Sequence, residues 1–470
     1  MLIYILFFVF LVLMIGSYFL FKKDIIEPAI IFTIAYTIST FCAMVNVEYW
    51  NIDLKLETFL ILLFGGVEFI AISYLIHRLY EKKYKEVDGN KIEGKKIKIA
   101  KWKVVLIIIY DIIVIVLLIN SILDIAKQFG EYSSFSEALS IFRDNTSYDV
   151  KTNLPKIISI LLKPIYATAY IFMFIYLNNI IYENQKTIKN ILSKTIYLVP
   201  VVLYIVECLV QSNRLSIITL ILAGFIMYII LLYQKQSWKK KISLKSIMIL
   251  AMVAVIGLIV FYFSARLIGR KVSKNAFQYI TMYCGGSIEC FDLYLEQPVE
   301  KSNIIGYETF TYLIRNLNDY NIIKLDKTPT AHLEWRYSDK VMVGNVYTAY
   351  RRWIQDFGIL GAIVLQALMA IFYNVYYNKI KYVNKKSVWN NIFIIIYSIF
   401  AYSLFTHPID STLYSFTLRL AWITQTVTLI IMYLFFAETE IKFRYGFNLK
   451  ICNKDIIGNR KINENEKIDN

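Results

Sequence analysis

Arginines recur in this chain at positions where a flat, permanently charged fork could meet phosphate. Arg351 and Arg352 are neighbours, and Arg266 and Arg270 are four apart, so that they share a helix face. Arg214 stands beside Ser212 and Asn213 in a short gap between two apolar stretches. Arg336 lies in a polar run before Tyr337, Ser338 and Asp339, and Arg419 lies in the outer third of the last apolar stretch. A guanidinium binds two phosphate oxygens at once, so several of them at one membrane face suit a phosphate-bearing ligand. The competing reading of any single arginine is a side chain snorkelling to lipid headgroups. Arg419 fits that reading least, because an ionisable group within a span usually faces a partner or a cavity.

Four groups compete as a general base for such a ligand: Asp356, Glu334, His332 and Glu207. Asp356 follows Arg352 by four residues, which predicts an ion pair along one helix. Glu207 precedes Arg214 by one heptad and could share its face. Glu207, Glu68 and Asp111 all interrupt apolar stretches, and pairing with Lys163, Arg214 or Arg419 is their simplest role. His407, close to Asp410, offers a further acid–base combination, although a lone loop histidine is more often only solvated. No histidine or cysteine spacing suits a metal, and no Walker loop, GxGxxG, HExxH or nucleophile elbow occurs. Neither metal nor cofactor is therefore expected. Cys284 and Cys290 share one segment, but buried free thiols are the expectation for the five cysteines.

These groups must be positioned by helices in a bilayer. Hydrophobic residues make up 57% of the chain, and apolar runs of roughly 20 residues recur. They fall at 2–21, 28–45, 56–76, 104–123, 157–181, 195–210, 215–233, 246–265, 354–376, 392–405 and 412–436, about eleven spans in all. The fold class expected is an all-α polytopic integral membrane protein. Its parts are a bundle over 1–265, with a basic loop at 77–103 and an outer loop at 124–156. A large extracytoplasmic loop follows at 266–352, then the last helices over 353–436 and a basic tail over 437–470. Within the large loop, apolar periodicity near 277–295 and 307–317 predicts amphipathic helices lying at the outer interface. A similar stretch runs through Ala138, Leu139, Ile141 and Phe142.

Charge sets the orientation. Lysines and arginines crowd alternate connections: Lys22 and Lys23, the 77–103 loop, Lys186 to Lys194, Lys235 to Lys245, Lys379 to Lys386, and the tail. The positive-inside rule then puts the N-terminus outside and the C-terminus in the cytoplasm. The first span has no basic leader and no small-residue cleavage site, so a retained anchor is expected. The net charge of +16 follows from this dispersal and from anionic lipid at the inner face. A nucleic-acid partner is a poor reading, since the basic residues do not gather on one folded domain.

The most specific local pattern is Asn345-Val-Tyr347-Thr348, followed by Asp356-Phe357-Gly358-Ile-Leu-Gly361 at the top of the ninth span. Gly358 and Gly361 are expected where helices approach closely. Here the chain resembles the oligosaccharide repeat unit polymerases, the Wzy-type polymerases of bacterial surface polysaccharides. The Ser212-Asn213-Arg214 turn, the large late loop and the basic tail extend that resemblance over the whole length as an arrangement. It implies a membrane glycosyltransferase with a GT-C-like bundle in the bacterial cytoplasmic membrane. Its substrates would be polyprenyl-diphosphate-linked oligosaccharides, with membrane lipids, a flippase and a chain-length regulator as neighbours. No nucleotide sugar or metal would be needed.

On that reading Arg214, Arg270, Arg336, Arg351, Arg352 and Arg419 bind diphosphate or glycan, and Asn345 and Tyr347 contact sugar hydroxyls, with one of the four candidate bases activating the acceptor. An O-antigen ligase would share the donor but differ in acceptor. A flippase or ion-coupled transporter would favour repeat symmetry or paired broken helices, and no internal repeat is evident.

Overall fold

In the computed structural model, residues 1–84, 95–148, 152–183, 194–239, 257, 259, 262–263, 275–325, 327–382, 387–443 and 447–451 are described. Nine helices among them are long and apolar enough to cross a membrane. They are α1 (Leu2–Leu20), α2 (Pro28–Val45), α4 (Leu56–Lys83), α5 (Lys101–Phe129), α7 (Lys156–Ile181), α9 (Arg214–Lys235), α12 (Ala349–Lys381), the α13–α14 pair (Val388–Phe400, Tyr402–Thr406) and α15 (Leu420–Glu438). The stretch at 195–210 is shorter than a span: a 3₁₀ turn at Thr195–Leu198 leads into α8 (Val199–Val210). The one at 246–265 lies largely outside the described residues. Helices α3 (Val47–Trp50), α6 (Phe135–Arg143), α10 (Ala276–Glu296) and α11 (Thr311–Asp319), with π-helical turns at Asp144–Tyr148 and Leu413–Thr417, complete the helices of the described residues.

The amphipathic stretches of the two long loops form helices α6, α10 and α11. In α6, Ala138, Leu139 and Phe142 are buried, while Ile141 is only partly so. Side-chain caps begin several helices, as Asn and Ser do wherever the first turn leaves N–H groups free. Asn275 accepts from Gln278 N at 2.9 Å, Asn213 from Ser216 N at 3.4 Å and Ser387 from Asn390 N at 3.1 Å. The start of α4 is capped from another helix: Asp292 of α10 accepts from Lys55 N at 3.0 Å and from the Thr58 hydroxyl.

Apolar side chains point outward along the bundle, among them Phe8, Val12 and Phe19 of α1, Ile109 and Val116 of α5, and Leu360 and Val364 of α12. That surface suits lipid and would be untenable in water. Helix α2 is the most enclosed, with α1, α4 and α10 around it. Gly285 lets α10 meet the α2 backbone at Cys42 and Ala43, and Gly65 of α4 leaves room for the Tyr350 ring. Close approach therefore falls at these two glycines. Gly358 and Gly361 act otherwise: nothing lies within 4 Å of where a Gly358 Cβ would be, and a Gly361 Cβ would meet the side chain of Phe357 in its own helix. Gly358 (φ 69°, ψ −173°) breaks α12 in a conformation that only glycine tolerates well.

Two antiparallel hairpins were not anticipated. Strand β1 (Arg336–Ser338) pairs with β2 (Val341–Gly344) within the large loop, and β3 (Thr439–Phe443) pairs with β4 (Phe447–Ile451) after α15.

Candidate functional site

The first turns of α12 gather the large loop around them. Arg351 is completely buried and forks onto two glutamates. Its Nη1 donates to Glu308 Oε2 at 2.6 Å, and its Nη2 donates to both Glu334 oxygens at 3.1 Å. The cation lies 4.1 Å from the Tyr294 ring centroid and 5.4 Å from that of Tyr347. Arg336 extends the chain of charge. It donates to Glu334 Oε1 at 3.1 Å, to the Gln297 carbonyl at 2.8 Å and to Tyr347 Oη at 3.2 Å. Tyr347 Oη in turn donates to the Glu334 carbonyl at 2.8 Å.

The hairpin presents Arg336. Its tip, Asp339 and Lys340, has φ values of 43° and 70°, the paired positive angles that tight hairpins require. Asn51 Nδ2 donates to Asp339 Oδ2 at 2.7 Å and ties that tip to the connection between α3 and α4. Asn345 follows the hairpin, partly exposed.

Arg352 points the other way. It donates to Asp410 Oδ1 at 3.1 Å, to the Ala331 carbonyl at 2.8 Å and to Thr311 Oγ1 at 3.3 Å. The expected Arg352–Asp356 pair does not form. Asp356 instead accepts from Thr309 N at 2.6 Å and Glu308 N at 3.0 Å, clamping the turn that carries Glu308. Spacing along the helix allowed the ion pair, but the unsatisfied N–H groups of the loop are the nearer donors. Asp356 thus holds in place the turn that carries Glu308.

The carboxylates differ in environment. Burial pushes the Glu308 carboxyl above its ordinary range, with Arg351 and Arg352 opposing that rise. Glu334 is also raised by burial, but Arg351, its own backbone and Arg336 outweigh this and hold it below the usual range. The Glu334 side chain retains 30% of its exposure against 16% for Glu308. Glu334 is therefore the more open and more readily ionised of the two. Such opposed environments are how one site separates a base from an acid.

The other expected residues lie apart from this cluster. Glu207 of α8 is buried, accepting from Gln211 and Cys208 rather than pairing with Arg214. Arg214 donates to Tyr279 Oη of α10 at 3.1 Å. Asp111 is buried with neither carboxylate oxygen hydrogen-bonded among the described residues, so its expected ion pair is absent there. His332 is exposed two residues before Glu334. His407 is interior: its ring joins Tyr36 Oη at 2.8 Å and Gln366 Oε1 at 3.0 Å, away from Asp410. Arg266 and Arg270 lie outside the described residues. Cys284 lies against Cys42 of α2, and Cys290 beside Gly344, so the two do not face one another.

Arg419 borders the cluster through α11. Its guanidinium lies 5.4 Å from the Tyr312 ring and makes no hydrogen bond or ion pair to a described residue; its Nε is buried. Asn316 of α11 accepts from Leu420 N at 3.0 Å and fixes the start of α15 beside it.

Glu308 and Tyr294 escaped sequence reasoning. A lone glutamate in a polar loop carries no periodic signal, and only Gly306, at φ 75°, marks the turn that aims it. Among the described residues no group of three or more His, Cys, Asp or Glu could hold a metal. No family model, curated protein or solved structure matches the chain.

Proposed function

We propose that this chain is a membrane glycosyltransferase that polymerises polyprenyl-diphosphate-linked oligosaccharide units into surface polysaccharide, at the outer face of the bacterial cytoplasmic membrane. The observation that carries this reading is Glu334: an ionised, partly open carboxylate between Arg336 and Arg351, at one end of a lipid-facing helical bundle. The resemblance at Asn345–Thr348 and Asp356–Gly361 supplies the substrate class.

In this reaction Glu334 takes the proton of the acceptor sugar hydroxyl. The hydroxyl oxygen bonds to the anomeric carbon of the growing glycan as the bond to the diphosphate breaks. The lipid diphosphate leaves with that electron pair and needs a cation rather than a proton. Arg419 supports that role best, because Arg351 and Arg352 are already held by internal acceptors. A diphosphate at Arg351 would have to displace Glu308 and Glu334. Arg351 and Arg352 thus act here by building the loop.

The test is Glu334→Gln in the producing cell, with the glycan resolved by size. A ladder collapsing to single capped units, at normal protein abundance, supports the polymerase. Long polymer that accumulates unattached points to a ligase instead, and an unchanged ladder removes Glu334 from the chemistry.

A further inference from the structure

Arg351 stands near the start of helix α12 and Lys381 at its end, where a second set of charges sits away from the loop cluster. Glu27, in the turn between α1 and α2, is fully buried, and neither of its carboxylate oxygens has a hydrogen-bond partner among the described residues. His77 of α4 is 3% exposed, and both of its ring nitrogens also lack hydrogen-bond partners among the described residues. The two face each other, with His77 Nδ1 3.8 Å from Glu27 Oε1. Lys381 Nζ lies 3.7 Å from Glu27 Oε2 but is committed elsewhere, donating to Asp24 Oδ2 at 2.6 Å. Tyr377 Oη also donates to Asp24, at 2.9 and 2.8 Å to its two oxygens.

We infer that Glu27 and His77 form a proton-binding site that holds one proton between them. The charge count requires it. Asp24 and Lys381 cancel, which leaves Glu27 as an uncompensated anion in an apolar setting if it and His77 are both deprotonated. Burial of a lone charge is costly enough to drive a group to take up a proton instead. A neutral acid beside a neutral imidazole and a carboxylate beside an imidazolium contain the same proton, so either arrangement restores balance.

The remaining described neighbours do not supply that charge. Lys22 and Arg78 are held by Glu81 near the surface, and the lysine is 68% exposed. Phe21 places its ring edge-on to His77 at 5.5 Å. Tyr233, Trp238, Tyr382 and Tyr397, from the surrounding elements, are uncharged at neutral pH. Burial, opposed by Lys381, holds the Glu27 carboxyl up at about 8, so that the site would empty just above neutrality.

The sign follows from linkage. The folded chain binds this proton more tightly than the unfolded chain, so the stabilisation is complete below the ordinary glutamate value. It is lost as pH rises toward about 8. The experiment is thermal unfolding of the full chain in lipid nanodiscs across that range, with infrared difference spectroscopy of the same sample. The wild type should lose several degrees of melting temperature as pH rises and show, at neutral pH, a protonated-carboxyl band or an imidazolium band. Glu27→Gln should flatten the profile and remove that band. Should Glu27→Gln fail to fold, Glu27→Asp and His77→Gln carry the test, by moving the band and the midpoint of the pH profile. A neutral-pH spectrum in which none of these variants changes a carboxyl band, or wild-type and Glu27→Gln profiles that superimpose, would overturn the inference.

Discussion

Arg351 and Glu334, 17 positions apart, are joined by two 3.1 Å hydrogen bonds from a single guanidinium nitrogen to the two oxygens of one carboxylate. The other terminal nitrogen of the same arginine reaches Glu308. One buried cation therefore holds together the hairpin approach, the turn after α10 and the start of α12.

Arg351→Ala takes from Glu308 the arginine that hydrogen-bonds it and leaves Glu334 with Arg336 alone. Loss of one partner from a buried ion pair costs on the order of 3 kcal/mol, so the variant should unfold at lower temperature and fall in abundance. Arg351→Lys keeps the charge but cannot fork to both glutamates, and should recover only part of that loss. Calorimetry on the purified variants measures this. A lysine variant as stable as wild type would mean that the bidentate geometry is unimportant.

Glu334 and Glu308 should separate under mutation. Removing a general base costs roughly 10²–10⁴ in rate, so Glu334→Gln should fall in that range while Glu308→Gln retains far more turnover. The acid limb of the wild-type rate profile should lie below the ordinary glutamate range, because the folded protein favours ionised Glu334. The stability linked to Glu334 is present above the ordinary range and lost as pH falls through its lowered value. Glu308 runs the other way, its contribution fading as pH rises through its elevated one. Initial rates with a lipid-linked donor across acid to neutral pH check both; equal losses in the two variants would remove the distinction.

Arg419 gives the contrasting case. With no carboxylate to strand among the described residues, Arg419→Ala should leave the melting temperature nearly unchanged while raising KM for the lipid-linked donor about tenfold or more, the loss expected of a charged hydrogen bond. Arg419→Lys should recover part of that affinity. Unaltered donor affinity in Arg419→Ala would place the diphosphate elsewhere.

Two glycines with equally open surroundings should respond oppositely to alanine. Gly16, in α1, and Gly358 both have nothing within 4 Å of the added carbon. Gly358 holds a positive φ, so Gly358→Ala should cost roughly 1–3 kcal/mol. Gly16→Ala should be neutral or stabilising by about 0.5–1 kcal/mol, because it restores a good helix former. Denaturant unfolding of the two variants decides whether backbone angle or space governs the site.

Apolar runs were legible in the sequence because their causes are local. A stretch long enough to span hydrocarbon must satisfy its own backbone as helix, and this holds whatever it packs against. The amphipathic patterns of α10 and α11 likewise repeat along a single helix. Pairing of charges is different, because it depends on separation in space. Spacing joined Asp356 to Arg352 and Glu207 to Arg214, whereas folding gave Asp356 the loop amides, Arg352 to Asp410 and Glu207 to Gln211. Arg351 finds its acids 43 and 17 positions away, and Glu27 meets His77 from another helix. The residue types were therefore set out in the chain, but tertiary packing decided which cations are enclosed by acids and which, like Arg419, keep an unclaimed fork.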